Sequence, residues 1–99
     1  MTKTYRITGM NGHRMRYSFS PSRSFDWSDC PYARPVQMHV SCSDETGTND
    51  YIDVTITAPD ENMIIRELWG QLSDGLFEDC RWGKVLDAET GENAPCPYN

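Results

Sequence analysis

Apolar and polar positions alternate with period two along much of this chain, then switch once to helical spacing. Tyr5 to Met10 reads as a short strand. Asn11-Gly12 follows it, and both residues tolerate the positive φ that a two-residue hairpin turn demands. The return strand sets His13, Met15, Tyr17 and Phe19 on one side and Arg14, Arg16 and Ser18 on the other, as a half-buried strand does. Val36, Met38, Val40 and Cys42 alternate with Gln37, His39 and Ser41. Ile52, Val54 and Ile56 alternate with Asp53, Thr55 and Thr57. These two runs predict a second antiparallel hairpin, joined by the polar segment 43–50. On this count His39 lies on the polar side, which makes it a surface histidine.

The helical stretch comes next. Ile64, Ile65, Leu68, Trp69 and Leu72 form one apolar stripe. Pro59 suits a first helical turn, and Asp60 and Glu61 sit where the helix dipole favours acids. Gly75, after Ser73-Asp74, suits the left-handed residue that closes a helix. Lys84-Val85-Leu86 reads as a last short strand and 87–92 as a turn. Residues 20–35 hold Pro21, Pro31 and Pro35 among serines and aspartates, and read as an irregular loop. The expected fold is therefore α+β: two antiparallel β-hairpins forming a sheet, packed against one main α-helix, with a short C-terminal strand. Residues 1–92 make one domain and 93–99 a C-terminal tail.

Composition adds limits. The chain has 99 residues, 37% of them hydrophobic, enough for one modest core and little room for a separate catalytic cleft. No apolar run approaches the ~20 residues of a membrane-spanning helix, and the first residues lack the apolar core of a signal peptide. A cytoplasmic location is expected, and with it reduced thiols at Cys30, Cys42, Cys80 and Cys96. A zinc-stabilised domain built on Cys30, His39, Cys42 and Cys80 is the alternative, although these spacings match no standard zinc module. Neither metal nor cofactor is expected.

The net charge of −6 is unevenly spread. Residues 1–36 carry six basic and two acidic side chains, and residues 37–99 carry three basic and thirteen acidic. Such asymmetry suggests an electrostatic partner, and it is equally compatible with a basic hairpin beside an acidic helix. The signatures of phosphate loops, nucleophile elbows and zinc proteases are missing, so the chain is expected to bind and not to catalyse. Phe25, Trp27 and Tyr32 in the 20–35 loop are of the residue types that anchor interfaces.

Gly70-Gln71-Leu72-Ser73-Asp74-Gly75-Leu76-Phe77-Glu78-Asp79 resembles a GQLSDG-x-aromatic-Glu segment that recurs in small phage-encoded proteins of mostly unknown role. The resemblance implies a mobile-element origin. Small acidic phage proteins often inhibit host defence systems or host enzymes, so it also implies an anti-CRISPR or anti-restriction type of inhibitor. The expected partner is then a host protein, of a nucleic-acid-binding kind, with no membrane involved and self-association left open. The candidate partner-binding residues are Asp60, Glu61, Glu67, Asp74, Glu78 and Asp79, together with Phe25, Trp27 and Tyr32. A nucleic-acid-binding module using Arg6, Arg14, Arg16 and the loop aromatics is the competing expectation.

Overall fold

Alternation decides which way each strand faces, and burial of the apolar side decides how the strands assemble. The computed structural model describes residues 1–9, 15–16, 22–27, 35–42, 48–49, 51–73 and 82–96. Its elements are β1 (Thr2–Gly9), β2 (Met15–Arg16), β3 (Ser22–Asp26), β4 (Gln37–Cys42), β5 (Thr48–Asn49), β6 (Tyr51–Thr57), α1 (Glu61–Ser73) and β7 (Trp82–Asp87). Five strands form one antiparallel sheet in the order β3-β4-β6-β1-β7. One helix packs on it, as the α+β expectation required. No helix among the described residues is long and apolar enough to cross a membrane.

The covered side of the sheet carries Tyr5, Ile7, Met38, Val40, Ile52, Val54, Ile56 and Val85, all buried. Against them α1 sets Ile64, Ile65, Leu68 and Leu72, four of the five residues of the expected stripe. The fifth, Trp69, is half-buried at the rim. Its ring meets Trp82 edge-on at 5.4 Å, and its Nε1 donates to the Pro95 carbonyl at 2.7 Å. Asp60, not Pro59, opens the helix: its Oδ1 accepts from Met63 N at 2.8 Å. That N-cap bond satisfies an otherwise orphaned donor and is worth about 1 kcal/mol.

The strand pairing differs from expectation at the N-terminus. The hairpin of β4 and β6 forms as expected. The Asn11-Gly12 turn and most of the return segment lie outside the described residues, and the described part of that segment, Met15–Arg16, does not pair with β1. β1 runs between β6 and β7, with seven opposed residue pairs on one side and five on the other. Met15–Arg16 pairs instead with Thr48–Asn49 as a separate two-stranded sheet. Tyr5 and Ile7 are 1% and 0% exposed, and a strand between two neighbours buries them where a terminal hairpin would leave one side open.

The second difference is β3. Residues 22–26, expected to be irregular, pair with β4 over five residue pairs. β3 ends the strand order, and a terminal strand needs ladder bonds on one side only, so Pro21 just ahead of it is tolerated. Beyond β7, Asn93 bridges Leu86 and Ala94 N donates to the Val85 carbonyl at 2.9 Å, so 93–96 run back along the strand.

Two substitutions check this packing. Leu68 is fully buried, so Leu68→Ala is expected to cost about 2–5 kcal/mol in urea unfolding. Gly70 sits mid-helix, and a Cβ there meets nothing within 4 Å. Gly70→Ala is therefore expected to stabilise by about 0.5–1 kcal/mol.

Candidate functional site

The insertion of β1 between β6 and β7 carries one end of the strand to the helix start. Lys3 shares the side of β1 that holds Tyr5 and Ile7, but it lies at the strand end, where the core gives way to solvent. Its Nζ donates to Asp87 Oδ2 at 3.0 Å and to Glu61 Oε1 at 3.4 Å. Asp87 lies opposite Tyr5 in the ladder, and only 12% of its side chain is exposed. A carboxylate so placed needs its charge met by donors. Its Oδ1 takes them from Glu89 N at 2.8 Å and Thr90 N at 3.4 Å, within the turn that follows β7. Gly91 completes that turn at a φ of 76°, donating to the Asp87 carbonyl at 2.8 Å.

Each charge holds the other. The Glu89 amide, and then the Lys3 ammonium, hold the Asp87 carboxyl below the usual aspartate range. The bond to Asp87, with help from Glu61, holds Lys3 above the usual lysine range against the opposing effect of burial. Beside them the Tyr5 hydroxyl is buried without a hydrogen-bond partner among the described residues, and burial pushes its pKa up.

This arrangement gathers acids from distant parts of the chain. Asp60 and Glu61 come from the helix start, Asp87 from β7, and Glu89 and Glu92 from its turn. Glu61 and Asp87 meet at Lys3, Asp60 caps the helix next to Glu61, Glu89 and Glu92 lie on the turn that Asp87 holds, and the amine of Met1 donates to the Ala58 carbonyl at 2.9 Å; we call this region the acidic corner. Glu89 and Glu92 are exposed, and among the described residues neither forms an ion pair.

The other expected contact residues are scattered. Glu67 lies further along α1, where its Oε1 accepts from Gln71 Nε2 at 2.9 Å. Phe25 and Trp27 stand at the β3 edge, stacked at 5.7 Å and half-buried against the core. Tyr32, Asp74, Glu78 and Asp79 lie outside the described residues, as do Arg14, Cys30 and Cys80. The sequence reading missed Lys3, Asp87, Glu89 and Glu92. The acidic turn was visible as a turn, but only the strand order brings Lys3 to it.

The uncovered side of the sheet is a field of cross-strand polar pairs. Thr2 shares a hydroxyl bond with Thr57 and Thr4 with Thr55, each 2.9 Å. Arg6 reaches Asp53 through Nε at 2.9 Å and Nη2 at 3.1 Å and lies 4.0 Å over the Tyr51 ring. His39 is exposed, as expected, and its Nδ1 shares a 2.7 Å bond with Ser24 Oγ. A shallow depression of about 290 Å³ lies beside that pair. Among the described residues no three His, Cys, Asp or Glu side chains converge on a metal-sized site.

The chain matches no known protein family model, no curated protein and no solved structure.

Two tests address the corner. The depressed pKa of Asp87 means that its contribution to stability is fully present above the unfolded value of about 3.9 and fades as pH falls through the folded value. Asp87→Asn should therefore lower the melting temperature at pH 7 and flatten its decline between about pH 5 and pH 2. Tyr5→Phe removes a hydroxyl that has no partner among the described residues, so the melting temperature should hold or rise. A loss above about 1 kcal/mol would reveal a hydrogen bond to that oxygen.

Proposed function

We propose that this protein is a small non-catalytic inhibitor, phage-encoded and directed at host defence, that uses its acidic corner to occupy a basic surface on a host protein. A surface built to attract phosphates also attracts a fixed cluster of carboxylates. An inhibitor of CRISPR or restriction machinery would meet such a surface. The observation that carries the reading is the Lys3 clasp: Lys3 joins Glu61 to Asp87, the Asp87 carboxylate fixes the turn after β7, and on that turn Glu89 and Glu92 are exposed with no ion pair of their own among the described residues. The backbone of that turn is already ordered by these bonds, so binding there has less main-chain freedom to lose.

The nucleic-acid reading gains less support. Arg6 is already held at two points by Asp53, and the net charge of −6 opposes a polyanion at long range.

The test is capture of partners from a nuclease-treated bacterial lysate by the tagged protein. One stoichiometric protein partner is expected, weakened by salt and lost when Glu89→Gln and Glu92→Gln are combined. Ser41→Lys with Thr57→Lys makes the same change in net charge on the uncovered side of the sheet and should leave capture intact. Equal loss in both double variants would reduce the effect to net charge and refute a localised acidic surface.

A further inference from the structure

The acidic corner borders a groove of about 310 Å³ between the first turns of α1 and the returning C-terminal segment. It is lined by Glu61, Asn62, Ile65, Pro95 and Cys96. Both walls are fixed. Ile65 belongs to the core. Opposite it, the returning segment is tied down by Ala94 N on the Val85 carbonyl and by Trp69 Nε1 on the Pro95 carbonyl. The lining is divided in kind: Ile65, Pro95 and Cys96 offer apolar surface, while Glu61 and Asn62 offer oxygen acceptors at the rim.

We propose that this groove receives one long basic side chain, that of an arginine, from the protein partner. An arginine has an apolar stem and a charged head, and it lays the stem on apolar surface while the head stays with acceptors. The stem lies on Ile65 and Pro95, and the guanidinium meets Glu61. The carboxylate of Glu61 is available for this. Lys3 holds Asp87 at 3.0 Å but Glu61 only at 3.4 Å, and the Glu61 side chain is 55% exposed. Glu61 can turn to a second cation while Lys3 keeps its closer partner. The neighbouring carboxylate of Asp60 offsets the positive end of the helix dipole, which otherwise disfavours a cation here.

This inference rests on the acidic-corner reading and deepens it by naming the group that is recognised. The experiment titrates the ¹⁵N-labelled full chain with acetyl-Gly-Arg-Gly-amide and with the same peptide carrying neutral citrulline. Saturable shifts are expected at Asn62, Ile65 and Cys96, with affinity about fivefold weaker for citrulline, the size of one exposed ion pair. Glu61→Gln should bring the arginine peptide to the citrulline level. The peptide comparison is made on the unaltered protein, so it decides the matter even if that variant folds poorly. Equal affinity for both peptides, or shifts that ignore these residues, would overturn the groove. Partner capture lost in the Glu89/Glu92 variant but unchanged in Glu61→Gln would keep the acidic surface and discard the groove. Arginine-selective binding without any capture that depends on the corner would do the reverse.

Discussion

The placement of β1 between β6 and β7 is the constraint on which the rest of the molecule depends. The first strand of the chain is flanked on both sides by strands from the second half, so the sheet is complete only when both halves are present. That placement buries Tyr5 and Ile7. It also sets Thr2 and Thr4 opposite Thr57 and Thr55 and delivers Lys3 to Asp87. Loop closure over such a separation has an entropic cost, met by two ladders of hydrogen bonds and a continuous apolar side.

Several of the described acids, inside the corner and outside it, have structural work. Asp53 is opposite Arg6 in the ladder, Asp60 caps the helix, and Asp87 organises a turn. The exposed Arg6–Asp53 pair contributes at most about 1 kcal/mol, so its main effect is to satisfy charge on the uncovered side of the sheet. What distinguishes the corner is the surplus of acids there, of which Glu89 and Glu92 are committed to no internal ion pair among the described residues. A binding reading follows from this surplus and not from the net charge alone, because net charge governs association in general and selects no surface.

The helix, the β4–β6 hairpin and the exposure of His39 were legible in the sequence, because period and parity are local properties of the chain. Asp60 was legible as an acid near a helix start, although its role as the cap, with Pro59 outside, emerged only from the bond to Met63. The partners of β1 were not legible. Asn11-Gly12 is a strong local turn signal, while the pairings of β1 join residues 43 to 82 positions apart, and no local pattern encodes them. β3 was hidden by the prolines around it, since a terminal strand tolerates the residues that elsewhere mark a loop. The corner was half legible: Asp60 and Glu61 were named, but the turn carrying Glu89 and Glu92 looked ordinary until Asp87, at its start, was seen to hold Lys3.

The clasp itself can be tested most directly by a double-mutant cycle on Lys3→Met and Asp87→Asn, read by urea unfolding at pH 7. If β1 and β7 are locked as described, each single change takes from the remaining charge its closest ionic partner, and the double variant loses clearly less stability than the two single losses added together. Strictly additive losses would mean that Lys3 and Asp87 do not interact, and the acidic corner would lose the residue that organises it.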